Sequence, residues 1–275
     1  MDSKVGEMFN LAGRTAVVTG GAGNLGSEYV KTLAQAGASV AVFDIADKKN
    51  PKLEELLKSG HPVKIYKIDL TKKNEVEKAL AEASGELGVP TILINNAGLD
   101  SHPSAPAAQN GPFEDYPEEV WDAMLDSHLK GMFFMSQAFI RNFRSAKKTS
   151  GSIINVSSTY GLVTPPQAMY EFRRRKGETY YKPVGYSVAK SGVLNFTRWL
   201  AEYAAPFGIR VNTLVPGGVY AGQDPEFVRE YESRTMLGRM AEAHDYNGAV
   251  LFLASDASSY MTGSTLVVDG GWTAR

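Results

Sequence analysis

The chain has 275 residues, 43% of them hydrophobic, and a formal net charge of −1. This is enough apolar mass for one large α/β core, and the near-neutral balance argues against a nucleic-acid-binding or membrane-surface protein. The absence of cysteine excludes disulfides, thiol nucleophiles and zinc–thiolate sites, and no metal site is expected. No apolar run reaches the roughly 20 residues of a membrane span or resembles a signal peptide at 1–6, so a cytoplasmic protein is expected.

The first β-branched run, Thr15-Ala16-Val17-Val18-Thr19, predicts a buried strand over 15–19. It leads straight into Gly20-Gly21-Ala22-Gly23-Asn24-Leu25-Gly26, and 27–36 then reads as a helix stopped by Gly37. Strand, glycine turn and helix are the context of a dinucleotide-binding loop. Bare glycines let the backbone approach a pyrophosphate, whose charge then sits at a helix N-terminus. The alternative is an ordinary tight β–α turn. The next strand, 39–43, ends in Asp44, 18 positions after Gly26 (44 − 26). A carboxylate there accepts hydrogen bonds from an adenosine ribose and repels a 2′-phosphate. That favours NAD over NADP, although Lys48 and Lys49 leave NADP open; otherwise Asp44 is a cap or loop residue.

Five further apolar runs, 63–68, 91–94, 152–156, 209–215 and 265–268, alternate with helical stretches. The alternation predicts a doubly wound parallel sheet of about seven strands with helices on both faces, in a single domain over 1–275. The irregular stretch 99–112 should emerge at the carboxyl ends of the strands, where open α/β sheets bind ligands. The polar segment 219–238 reads as a mobile substrate lid in the same region. Met132-Phe133-Phe134-Met135 and Phe139-Ile140 are apolar beyond one stripe, which fits core plus a subunit interface.

Tyr186 and Lys190 are four residues apart on a helix expected from about 184 to 205. At that spacing they share a face, one above the other. An ammonium beside a phenol favours the phenolate and lowers its pKa from about 10, making Tyr186 a candidate general acid/base. The alternative is a tyrosine packed on a lysine stem.

Several motifs in order resemble the classical short-chain dehydrogenase/reductase family across nearly the whole chain. Thr19-Gly20-x-x-x-Asn24-x-Gly26 is similar to its cofactor loop, Asp69-Leu70 to its adenine-contacting pair and Asn95-Asn96-Ala97-Gly98 to its N-N-A-G signature. Ile153-Ile154-Asn155-Val156-Ser157-Ser158 resembles the strand that delivers its serine, Tyr186-x-x-x-Lys190 its catalytic pair, Pro216-Gly217 its nicotinamide loop, and Val267-Val268-Asp269-Gly270-Gly271 its last strand. The resemblance implies a Rossmann-type fold and hydride transfer coupled to proton transfer. Ser158 would orient the substrate oxygen, Tyr186 would move the proton, and Lys190 would hold the nicotinamide ribose. Gly20, Gly23, Asn24, Leu25, Gly26, Asp44, Asp69, Leu70, Asn96, Ala97, Gly98, Pro216, Gly217 and Val219 would bind the cofactor together with Tyr186 and Lys190. It also implies a homotetramer or homodimer, paired through the helices beginning near Met124 and Tyr186.

Four departures bear on this reading. Asn24 replaces the family's middle glycine, tolerable because asparagine accepts left-handed backbone. His128 replaces an asparagine often counted as a fourth catalytic residue, and reads as a packed histidine in a helix kink or as one with its own role. Ala221 replaces a threonine that contacts the nicotinamide amide. The fourth departure is length: Ser158 and Tyr186 are 28 positions apart (186 − 158), where the family usually has roughly a dozen. The extra segment, 165–182, should leave from the active-site rim. Its Arg173, Arg174 and Arg175, with Tyr170 and Tyr180, suit an anionic or polyhydroxylated, sugar-like substrate; a solvated loop or an oligomer contact is the competing reading. The expected function is NAD-dependent interconversion of a secondary alcohol and a ketone on a small molecule. The alternatives are an NADP-dependent carbonyl reductase, a cofactor-binding regulatory protein without turnover, and an epimerase or dehydratase with a transient redox step.

Overall fold

A computed structural model describes residues 3–46, 50–99 and 107–275; Lys48, Lys49 and positions 100–106 lie outside the described residues. Seven strands form one sheet: β1 (Thr15–Thr19), β2 (Ser39–Asp44), β3 (Val63–Lys67), β4 (Ile92–Asn95), β5 (Gly151–Val156), β6 (Ile209–Pro216) and β7 (Thr265–Val268). All pair in parallel, in the order β3-β2-β1-β4-β5-β6-β7. Each expected strand is present, with bounds within about one residue.

Strands β1, β4 and β5 are buried along their whole length because helices cover both faces of a parallel sheet. The pleat divides their apolar residues between two cores. Ala16, Val18, Ile92, Ile94, Ile154 and Val156 meet the helices Asn24–Gln35 and Asn247–Ala254 on one face. Val17, Leu93 and Ile153 meet Lys73–Leu87, Gly131–Ser145 and Val184–Ala204 on the other. From β1 the chain winds outward to β2 and β3, then crosses back to β4 on the other side of β1. The loops after β1 and β4 therefore diverge, opening a crevice at the carboxyl ends of the strands.

A third, smaller core lies beside that crevice. Segment 165–182 folds as two short helices, Gln167–Tyr170 and Glu171–Arg175, against a third, Pro225–Arg234, from the segment expected as a lid. Tyr231 stacks on Trp272 with centroids 4.4 Å apart, and Tyr170 meets Tyr180 at 4.7 Å and Phe227 at 5.7 Å. These rings bury the inner surfaces of both excursions together. Among the described residues no helix is long and apolar enough to cross a membrane.

Candidate active site

The loop after β1 closes tightly upon itself. Gly20 is left-handed at φ +62°, and a Cβ there would lie 2.8 Å from Ala97 Cα. A Cβ on Gly26 would lie 2.1 Å from the Gly20 carbonyl oxygen, so only glycine lets the helix start this close to the turn. Gly23 caps that helix with extended backbone and no side-chain cap bond. The first-turn amides and the positive end of the helix dipole are thus left for a ligand anion. Asn24 is the first helical residue, and Lys147 alone among the described non-glycine residues has a positive φ. The expected use of asparagine's tolerance for left-handed backbone is therefore corrected: Asn24 needs none.

Side chains lock this loop to its neighbours. Thr19 Oγ1 accepts from the amides of Asn96 and Ala97 at 3.0 and 3.1 Å, and Asn96 Nδ2 donates to the Thr19 and Gly20 carbonyls at 3.1 and 3.2 Å. Asp44, at the end of β2, accepts from the Ala22 amide at 3.0 Å and the Ala46 amide at 2.9 Å. Asp69 accepts from the Thr71 amide and hydroxyl within its own turn, and Leu70 packs beneath Gly131. Bare glycines and an open helix N-terminus fit the pyrophosphate of a dinucleotide, with the Asp44 carboxylate beside the same loop.

Beyond β5, Ser157 donates to the Lys190 carbonyl at 2.7 Å. Ser158 Oγ instead accepts from the Tyr160 amide at 3.2 Å, capping the short helix Thr159–Leu162; its own proton remains available to a ligand. Lys190 is 5% exposed, and its Nζ donates to the Val156 carbonyl at 3.0 Å, 5.8 Å from the Tyr186 ring centroid. The shared-face expectation for Tyr186 and Lys190 is thereby met. His128 sits in a π-turn, Asp126–Lys130, between the helices Glu118–Leu125 and Gly131–Ser145, a local widening common at functional sites. Its ring meets Tyr186 edge-on, 5.5 Å between centroids, and its Nε2 lies 2.8 Å from the Leu99 carbonyl oxygen. A Cβ on Gly98 would come within 2.1 Å of that ring. His128 thus braces Tyr186 against the Gly98–Leu99 backbone.

One cleft of about 370 Å³ brings Ser158, Tyr186 and Lys190 together with Asn24, Leu25, Asn96, Pro216, Gly217 and Val219. Its far wall contains residues the sequence reading missed: Tyr160, Lys182, Gln223, Phe227, Tyr231 and Met240. Gln223 braces the loop around Ala221, accepting from the Ala221 amide and donating to the Val219 carbonyl, each at 2.8 Å. Burial pushes the Tyr231 phenol up to about 12, and its oxygen accepts from the Gly218 amide at 2.5 Å. No residue type in the sequence announces such a wall; only packing gathers it.

Of the five substrate residues expected in the insertion, Tyr170 lines the cleft, while Tyr180 is 4% exposed and packs behind it. The three arginines face other partners. Arg173 pairs with Glu178 at 2.7 Å and covers the Tyr180 ring at 4.1 Å. Arg174 binds Glu171 at 2.8 Å and donates to the Tyr180 and Gln167 carbonyls at 2.9 Å each. Arg175 pairs with Glu226 at 2.6 Å and Lys176 with Asp224 at 3.2 Å. In place of the expected substrate contacts, the structure pairs these arginines with acidic side chains of the insertion and of the 225–234 helix. The basic run latches two excursions of the chain together.

Sheet topology, glycine loop and the Ser158–Tyr186–Lys190 cluster together define a nicotinamide-dependent oxidoreductase. Residues 20–273 match a family model described as enoyl-(acyl carrier protein) reductase, and the chain belongs to the short-chain dehydrogenase/reductase family of enzymes acting on CH–OH groups. It is 32% identical over 274 residues to a cis-4-hydroxycyclohexanecarboxylate dehydrogenase of Sinomonas cyclohexanicum, covering 98% of this chain and 100% of that one. A short-chain dehydrogenase of Leptospira borgpetersenii with bound NAD⁺ superposes with a TM-score of 0.83 at 32% identity, over 96% and 94% of the two chains. A Burkholderia cenocepacia gluconate 5-dehydrogenase in complex with NADP and tartrate gives 0.84 at 27%, over 98% and 99%.

Proposed function

We propose that this enzyme interconverts a secondary alcohol and a ketone with NAD as the preferred cofactor, on a small hydroxylated or anionic substrate. The observation that carries the proposal is the convergence of Ser158, Tyr186 and Lys190 in the cleft that also holds Asn24, Asn96 and Pro216. The loop 20–26, Asp44, Asp69, Leu70, the 96–98 turn and the 216–219 segment would hold the dinucleotide, which when bound supplies the hydride acceptor or donor. Ser158, with its proton uncommitted, donates to the substrate oxygen and fixes its orientation. In the oxidative direction Tyr186 takes the alcohol proton at its phenolic oxygen; in reduction it returns one. The Lys190 ammonium, fixed on the Val156 carbonyl, favours the phenolate. His128 holds the Tyr186 ring in register, and the 225–234 helix with the insertion screens the reacting atoms from water.

Substrate-dependent absorbance at the reduced-nicotinamide band, present in the wild type and lost in Tyr186→Phe, tests the chemistry; turnover surviving in the variant refutes the assignment. Asp44 supports NAD because its carboxylate meets the loop where an adenosine ribose would lie. Equal kcat/KM with NADP would overturn that preference, and Asp44→Ala should relax it by about tenfold or more. Assembly is a further part of the proposal: Phe133, Trp199 and Tyr203, 43%, 63% and 46% exposed, border one groove on the helices Gly131–Ser145 and Val184–Ala204. Such a surface suits helix-to-helix pairing of subunits, and light scattering at 29.8 kDa would exclude it.

A further inference from the structure

We propose that the far wall of the cleft is a seat for a hydrocarbon ring, so that the substrate is an alicyclic secondary alcohol with no further hydroxyl along its face. The proposal rests on the functional reading above for the reacting hydroxyl, and adds the substrate class. Aromatic rings close on one another beside the cleft. Tyr170 meets Phe227 with centroids 5.7 Å apart, Phe227 meets Tyr231 at 6.2 Å, Tyr231 stacks on Trp272 at 4.4 Å, and Trp272 meets Tyr160 at 6.5 Å. A hydrogen bond between the Tyr160 and Tyr170 side chains completes the circuit. Tyr160, Tyr170, Phe227 and Tyr231 line the cleft together with Met240, and Trp272 packs behind them.

The polar atoms of this wall are turned onto protein. The Tyr160 hydroxyl, bonded to Tyr170, donates toward Met169 Sδ at 3.9 Å. The Tyr231 oxygen accepts from the Gly218 amide at 2.5 Å. Bare Gly218 permits that approach, since a Cβ there would lie 2.6 Å from the Tyr231 ring. Gln223 commits its carboxamide to the Ala221 amide and the Val219 carbonyl, each at 2.8 Å. Burial raises the pKa of both Tyr160 and Tyr231, the response of phenols in dry surroundings. What the wall offers a ligand is therefore ring faces and the Met240 thioether. The groups suited to a reacting hydroxyl are Ser158, Tyr186 and Lys190, with Lys182 Nζ 4.5 Å from the Tyr186 ring centroid. A substrate matched to this division has one oxygen at the reacting carbon and an apolar body behind it. A polyol would press hydroxyls against ring faces, giving up water for no partner. A closed ring suits the wall better than an open chain of the same carbons, because fewer rotors are frozen on binding.

The test uses cyclohexanol, 2-hexanol and myo-inositol, which share a carbon count but differ in ring closure and hydroxylation. Binding of each to the dead-end enzyme–NADH complex is measured by calorimetry for wild type, Phe227→Ala, Phe227→Leu and Met240→Gln. In the wild type cyclohexanol should bind about tenfold tighter than 2-hexanol and about a hundredfold tighter than myo-inositol. Phe227→Ala should weaken cyclohexanol about ten- to a hundredfold and leave NADH unmoved, with Phe227→Leu, which keeps an apolar filler, losing less. Met240→Gln, similar in size, puts a carboxamide into the wall and should narrow the gap between cyclohexanol and myo-inositol by about tenfold. In turnover the same changes should appear in KM rather than kcat. Cyclohexanol binding that is absent, or no tighter than that of myo-inositol, overturns the proposal. So does equal weakening of both probes in Phe227→Ala and Phe227→Leu, which would mean that the ring only holds the fold. Because the dead-end complex needs no turnover, its failure is separable from failure of the assigned chemistry, which Tyr186→Phe reads.

Discussion

On the side of the cleft proposed for the cofactor, the surface that would recognise it is backbone: bare Gly20 and Gly26, the amides after Gly23, and the Asn96–Ala97 turn knotted to Thr19. On the side proposed for the substrate it is side chains: Tyr160 follows β5, Tyr170 and Lys182 belong to the insertion, and Phe227, Tyr231 and Met240 come from the chain after β6. A backbone site tolerates no added atom but is indifferent to most side chains around it. A side-chain site can be repacked residue by residue, which is how one scaffold serves many alcohols.

The comparison breaks most sharply at the residue shared by both sides. Tyr186→Phe should cut kcat by about 10²–10⁴-fold, as expected for loss of general acid/base catalysis, while NAD binding by fluorescence titration stays within about twofold. On the cofactor side Gly26→Ala should be next in size. Its Cβ would lie 2.1 Å from a carbonyl oxygen, so the turn must shift, costing about 1–3 kcal/mol, readable as a lower melting temperature and weaker NAD binding. The same small change on the substrate side, Met240→Leu, should alter substrate KM and spare NAD.

Within the latch the effects should be graded by burial. Arg174→Gln removes donors from two backbone carbonyls and a carboxylate, and should loosen the insertion by about 1–3 kcal/mol, raising substrate KM without touching NAD. Arg175→Gln breaks a pair whose members are 63% and 37% exposed. Such pairs are worth less than about 1 kcal/mol, so neither melting temperature nor KM should move appreciably. If Arg175→Gln raised KM as much as Arg174→Gln, the basic run would be touching substrate after all.

The sequence by itself determined the sheet, the glycine loop and the Tyr186–Lys190 pair, because each is a local code. β-branched runs between helical stretches specify parallel strands, a glycine turn after a strand specifies close backbone approach, and a spacing of four fixes a shared helix face. It also located the insertion, since a gap between two motifs is countable. What it did not determine is where the insertion's charges go. Arg173 to Lys176 meet Glu171 and Glu178 within the insertion, and Glu226 and Asp224 some fifty residues onward, and nothing in a linear run of four cations distinguishes a latch from an anion site. Likewise His128 is one residue in the sequence, but against Gly98, the Leu99 carbonyl and the Tyr186 ring it becomes a brace. The physical reason is the same in each case: long-range pairing partners are chosen by the packing of the third core, to which chain spacing is blind.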